Sequence, residues 1–212
     1  MASTLNKAAK FWDKVAERYS KKPVANEEIY EKKLEVTRSY LRSDMEMLEF
    51  GCGTGSTAIA HSPHVKRILA TDLSSKMIEI AIEKARQQNI SNVIFEQASI
   101  EDISSIGRSF DAVLGLNVVH LVDDMEAAIA KVHGLLRPGG VFVSSTACIK
   151  NMMPLFRLIA PIGTFLGLFP PVLVFSIEEL KQALTDAGFE LEHEWLPGKN
   201  QALFLVARKP DH

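Results

Sequence analysis

A chain of 212 residues that is 47% hydrophobic and 24% charged, with a net charge of −2, has the make-up of a folded globule with a sizeable core. Its lysines and arginines are spread along the chain, which argues against nucleic acid as a partner, because phosphate binding needs a concentrated basic face. The two cysteines, Cys52 and Cys148, form no disulfide framework or metal knuckle, so a reducing, cytoplasmic setting without a metal is expected.

The chain opens on two amphipathic helices. Leu5, Ala8, Trp12, Val15 and Tyr19 recur at helical spacing, as do Tyr30, Leu34, Thr37 and Leu41, and SKKP at 20–23 breaks the two apart. Residues 1–43 therefore read as a helical cap, without the apolar core of a signal peptide. After Asp44 the period changes. Short apolar runs at 47–50, 67–72, 92–98, 110–116 and 140–146 alternate with helix-like segments near 55–61, 75–88 and 124–136. Such alternation implies parallel strands with helices on both faces.

RPGG at 137–140 is a helix stop. SIEE at 176–179 is a capping box with Ser176 as N-cap, opening a helix that ends near Gly188. Two last strands, about 189–195 and 201–208, are joined by LPGKN, a link short enough to make them antiparallel. The uncharged stretch 158–175 reaches the length of a membrane span. Pro161, Pro170 and Pro171, with Gly163 and Gly167, interrupt it, and each proline removes a helix hydrogen bond, so a span is not expected. Residues 147–176 form an apolar connection between the fifth strand and the capped helix, with Arg157 the single charge in 151–175. The face at 152–175 can equally rest on a membrane or on a second copy, which leaves monomer and homodimer both open. One domain over 1–212 is the economical reading.

The segment LEFGCGTGSTAIA, 48–60, carries most of the functional signal. Gly51, Gly53 and Gly55 follow the first strand and lead into a helix. Glycine permits positive φ and close approach of a ligand to the backbone, and the helix start adds free N–H donors. Gly53-x-Gly55-x-x-Ala58 also fits the relaxed dinucleotide fingerprint, and Asp72 stands about 20 residues on, where a ribose-binding acid belongs. NAD and S-adenosylmethionine both carry an adenosine, and these residues alone leave them unseparated.

The acid-x-Gly-x-Gly-x-Gly run, Glu49 to Gly55, resembles the motif of class I S-adenosylmethionine-dependent methyltransferases of the small-molecule type. ATDLSSKMIEIA (70–81) is similar to that family's ribose-binding segment, and FEQASIEDI (95–103) to its adenine-binding segment. FDAVLGLNVVHLVD (110–123) and LLRPGGVFVSST (135–146) resemble its fourth and fifth strands, and FWDKVAERY its N-terminal helix. The likeness runs from about Phe11 to Lys209.

It implies a Rossmann-like α/β sheet of order 3-2-1-4-5-7-6 with strand 7 antiparallel. It also implies S-adenosylmethionine as cofactor, S-adenosylhomocysteine as product, and an apolar substrate lid over 147–176. In the implied site, Gly51, Cys52, Gly53, Thr54 and Gly55 carry the methionine and ribose portions, and Glu49 steadies the ammonium. Asp72 accepts from the ribose hydroxyls, Leu73 and Met77 pack on adenine, and Ile100 offers its N–H to the ring. Asn117 and Val118 lie beside the methionine tail. Ser99 stands where the family often has an acid facing the adenine amine, and a hydroxyl is a weaker acceptor there.

His120 overhangs the methyl group in this reading and is a base candidate, and Tyr19 closes over the sulfonium. His61, His64, His133 and His193 read as surface residues. No tyrosine follows Tyr40, which removes the Tyr-x-x-x-Lys pair of short-chain dehydrogenases. The fourth strand ends in LGLN rather than in the Asp/Asn-Pro-Pro-aromatic run of DNA amino-methyltransferases. The resulting expectation is in-line methyl transfer to a small, hydrophobic acceptor. The alternatives are an NAD(P)-dependent oxidoreductase and a non-catalytic S-adenosylmethionine-binding protein.

Overall fold

Short strands buried on both faces build the sheet from within. The computed structural model describes residues 2–104, 108–153 and 169–211, with side chains from residue 5 onward. Strands β1 (Glu46–Phe50), β2 (Arg67–Asp72), β3 (Val93–Gln97), β4 (Phe110–Leu116) and β5 (Leu136–Thr146) run parallel. Strand β7 (Leu203–Arg208) lies between β5 and β6 (Glu190–Trp195), antiparallel to both. The order is β3-β2-β1-β4-β5-β7-β6, as the family resemblance implied.

Successive side chains on a strand point to opposite faces, and both faces are apolar. Leu48, Leu69, Val113, Phe142, Leu203 and Leu205 form one core layer with α5 (Met125–Leu135) and α7 (Ile177–Asp186). Their neighbours Met47, Ile68, Ala112, Val141, Val143, Phe204 and Val206 form the other, beneath α3 (Ser56–His61) and α4 (Ser75–Gln87). Each fully buried Leu or Phe contributes about 1.5–3 kcal/mol, so a one-residue slip of a central strand exchanges two complete apolar sets.

The helix boundaries follow capping chemistry. Asn26 accepts from Ile29 N–H at the start of α2 (Glu27–Arg38), Ser74 from Met77 N–H at α4, and Asp124 from Ala127 N–H at α5. The Ser176/Glu179 capping box forms as read, with Glu179 N–H on Ser176 Oγ at 3.2 Å and Ser176 N–H on Glu179 Oε2 at 2.6 Å. Helix α1 (Ala2–Ser20) lies against α4, and Asp13 Oδ1 accepts from Ser74 Oγ at 2.6 Å and Lys76 N–H at 3.2 Å. A carboxylate at a helix N-terminus is favourable there.

Two readings need correction. RPGG follows the end of α5 as expected, but the fifth strand begins before it rather than at 140. Strand β5 already starts at Leu136, paired with Phe110, and a bulge follows before Ala112 pairs with Val141. Gly139, at φ +72°, donates its N–H to Lys209 O, and Lys209 N–H returns to Gly140 O, so the bulge is itself paired. His61 is wholly buried rather than on the surface, with neither ring nitrogen hydrogen-bonded. Burial first, then Arg38 and His64, lower its pKa to about 4, which keeps the ring neutral. The segment read as an apolar lid, with its contact face at 152–175 and Arg157, lies largely outside the described residues; α6 (Ile149–Met152) opens that connection. Among the described residues no helix is long and apolar enough to cross a membrane.

Gly55 locks the loop after β1 onto this frame. At φ +74°, a Cβ on it would stand 2.7 Å from Phe95 Cε1 and 2.9 Å from Ala81 Cβ. Gly55→Ala is expected to cost about 1–3 kcal/mol and to lower the melting temperature by about 3–10 °C, measured by thermal unfolding. An unchanged midpoint would show that β3 and α4 yield freely at this point.

Candidate active site

The carboxyl ends of β1, β2 and β4 share one edge, and the strand order reverses between β1 and β4. A crevice opens at such a switch point in open parallel sheets. Cys52 N–H extends the β1–β2 ladder to Thr71 O at 2.9 Å, and Gly55 N–H turns back to Cys52 O at 3.0 Å.

The three glycines of this turn, at φ +64°, +53° and +74°, serve different ends. A Cβ on Gly51 would stand 2.4 Å from Val118 Cγ2, so that glycine lets the β1 and β4 loops close on each other. Gly55 packs as described above and lies outside the cavity walls, contrary to its expected place against a ligand. Only Gly53 has open space where a side chain would go, with Tyr19 Cε1 the nearest atom at 3.9 Å.

Asp72, at the end of β2, holds the crevice in shape. Its Oδ2 accepts from Gly53 N–H at 2.9 Å and its Oδ1 from Ser74 N–H at 2.9 Å. Burial pushes its carboxyl above the usual range, those two N–H groups pull it back, and the neighbouring Asp13 pushes it up again. Glu49 is still more confined. It is buried, its Oε2 has no hydrogen-bond partner, and burial followed by the nearby Asp72 charge pushes its pKa to about 8.

Two cavities meet here. Asp72, Leu73, Met77, Ser99, Ile100 and Val118 line the first, with Trp12 and Leu5 of α1 above them. The second, of about 570 Å³, is lined by Glu49, Cys52 and Thr54 from the β1 loop, by Tyr30 and Lys33 of α2, and by Ser145 of β5. Tyr19, Gly51, Gly53, Leu116 and Asn117 belong to both walls. Asn117 reaches this position through a left-handed backbone, φ +57°, with its N–H on Ser145 O at 2.6 Å. Tyr19 is half exposed, and burial and then Asp72 raise its pKa, so its phenol keeps its proton. Burial lifts the Cys52 thiol well above its usual range as well, which makes it inert as a nucleophile.

Two further expectations change. His120 sits in the 3₁₀ turn Val119–Leu121 but lines neither cavity. Its Nδ1 is buried without a partner, and burial lowers its pKa to about 4, a weak base at neutral pH. The Ser99 hydroxyl is committed locally, donating to Asp102 Oδ2 at 2.8 Å and accepting from Asp102 N–H at 3.2 Å. Glu101 lines the cavity beside it. Sequence reading missed Glu101, Asp13, Tyr30 and Lys33. The one available signal was the spacing of Tyr30, Lys33 and Thr37 along a single helix face.

Comparison with known proteins agrees with this architecture. A methyltransferase-domain family model matches residues 47–140. An uncharacterized methyltransferase of Bacillus subtilis, YcgJ, is 30% identical over 102 residues, covering 48% of this chain and 40% of its own length. The malonyl-[acyl-carrier protein] O-methyltransferase of Priestia megaterium is 28% identical over 176 residues, covering 80% of this chain and 63% of its own. The chain thus spans less than two thirds of either relative. A solved structure described as a DhpI–SAH complex covers all of both chains with a TM-score of 0.75 at 21% identity.

The Glu49 environment makes stability depend on pH. Native Glu49 keeps its proton up to about pH 8, whereas the unfolded residue releases it near its ordinary value of 4.5. The folded state therefore binds the extra proton, and wild-type stability should fall as pH rises from about 4.5 to about 8. Denaturation midpoints of wild type and Glu49→Gln should diverge across that window by an amount on the order of a few kcal/mol in favour of the variant. Parallel pH profiles would place the charge elsewhere.

Proposed function

We propose that the protein, whose residues 47–140 match a methyltransferase-domain family model, is a class I S-adenosylmethionine-dependent methyltransferase that transfers this cofactor's methyl group to a small, hydrophobic acceptor by in-line displacement. The groups present fit the cofactor. Gly53 offers bare backbone to the cavity, and Glu49 Oε2 is a buried acceptor without a partner. Each Asp72 oxygen, having accepted one N–H, keeps a lone pair for a hydroxyl.

In this reading Asp72 takes the ribose hydroxyls, and Leu73, Met77, Ile100 and Val118 enclose the adenine. Glu49, Asn117 and the Gly51–Gly53 backbone receive the methionine end. A cation beside Glu49 favours its charged form, so binding would release a proton from that carboxyl. Cys52 and Thr54 contribute wall, and Thr54 Oγ1 accepts from Lys84 Nζ at 3.1 Å, which anchors the loop to α4.

When bound, the cofactor supplies a methyl group already activated on a sulfonium, so no protein nucleophile is required. The chain's own task is alignment and exclusion of water, and alignment contributes about 7–11 kcal/mol in well-organised cases. Tyr19, over Gly53 and between the cavities, is the residue we assign to screening the reacting atoms. Asn117 positions what lies across from it. His120, away from both walls, acts on the site only through packing.

The observation that carries the reading is the Asp72–Gly53 pair beside an open glycine Cα. Asp72→Ala is expected to weaken S-adenosylmethionine and S-adenosylhomocysteine about 100-fold by calorimetry. Unchanged affinity in a folded variant refutes the ribose assignment. Incubation of wild type with methyl-labelled cofactor and a panel of hydrophobic acids, phenols and amines should label one class of acceptor.

A further inference from the structure

We propose that Lys33 is an anion hook in the second cavity, and that the acceptor is an apolar carboxylic acid methylated on its carboxylate oxygen; this rests on the methyltransferase reading above. Helix α2 turns Tyr30, Lys33, Leu34 and Thr37 toward that cavity, while the adjacent Lys32 faces out and pairs with Glu35 at 2.8 Å. Lys33 Nζ instead donates to Ser145 Oγ at 2.8 Å, at the end of β5. An ammonium has three donors, and this bond uses one. Among the described residues no carboxylate forms an ion pair with it. Burial depresses its pKa with no charged partner to restore it. A partly buried cation without a counterion, facing a cavity, is completed by an anionic ligand.

The rest of the wall selects the body of that ligand and its state of ionisation. Val24, Ile29, Leu34 and Leu116 offer apolar surface. No histidine lines either cavity among the described residues, and Glu49 already serves the methionine end in the reading above. The acceptor must therefore arrive deprotonated, and a carboxylic acid is so at neutral pH, whereas an amine arrives cationic and is repelled by Lys33. The step then balances without a base. A carboxylate oxygen supplies the electron pair for the new C–O bond to the methyl carbon. The C–S bond breaks with its pair returning to sulfur, leaving a methyl ester and a neutral thioether, and no proton moves. Lys33 holds the acid and drops its hold once the ester has lost the charge.

The test is calorimetric titration of decanoate, decanol and decylamine into the protein, with and without saturating S-adenosylhomocysteine. Wild type should bind decanoate at least tenfold more tightly than decanol and bind decylamine weakest. Lys33→Met, and separately Lys33→Gln, should lose at least tenfold for decanoate, leave decanol within about threefold, and retain homocysteine-cofactor affinity as the check of fold. Decanoate no tighter than decanol in wild type overturns the proposal, and needs no variant to be seen. So does a folded variant at position 33 that keeps wild-type decanoate affinity. Failure of wild type to bind S-adenosylhomocysteine would instead sink the methyltransferase reading, while the acid-to-alcohol ratio without cofactor still judges Lys33.

Discussion

The carboxylate of Asp72 accepts one backbone N–H from each of two loops, Gly53 after β1 and Ser74 before α4. The open edge of the sheet takes its shape from that pair. A buried carboxylate is costly unless hydrogen-bonded, and bonds to a charged acceptor are about twice as strong as neutral ones. The loops are therefore held by the need to satisfy the acid as much as the acid is held by the loops. Asp13 extends the arrangement outward, because its contacts with Ser74 and Lys76 seat α1 on the same helix start. Cap, buried acid and glycine turn form one mechanical unit.

Acidic and basic groups are divided unevenly across this unit. Glu49, Asp72 and Asp13 crowd one side, and no ion pair among the described residues relieves any of them. Lys33 stands across the second cavity, and among the described residues its hydrogen-bond partner is the Ser145 hydroxyl. Evenly charged surface pairs, such as Lys76–Glu79 and Arg86–Glu83, contribute little because solvent screens them.

Much of the fold was legible because it rests on local chemistry. Short apolar runs between helical segments marked the strands, Ser176 and Glu179 marked a helix start, and the short LPGKN link marked the antiparallel pair. The order of strands came from the family resemblance and not from pattern, since alternation alone leaves it open. The failures share a cause, which is dependence on distant partners. RPGG stops the helix as read, but that it lies within a strand shows only once Lys209 pairs across its bulge. His61 reads as polar surface until Arg38 and its neighbours enclose it. Ser99 reads as a ligand group until Asp102 takes its hydroxyl. Lys32 and Lys33 are the same letter, and only the rotation of α2 against β5 tells the solvated one from the confined one.

The glycine turn has a consequence for how the protein can change over generations. At Gly51 and Gly55 a methyl group collides with packed neighbours, so substitution there damages the scaffold. At Gly53 the nearest atom is 3.9 Å away, and the hindrance is the φ of +53° alone, a toll of about 1–2 kcal/mol for a non-glycine residue. A side chain at that one position would leave the architecture standing and fill part of the cavity. Gly53 is thus the point at which altering a single codon could close the crevice in a relative of identical shape.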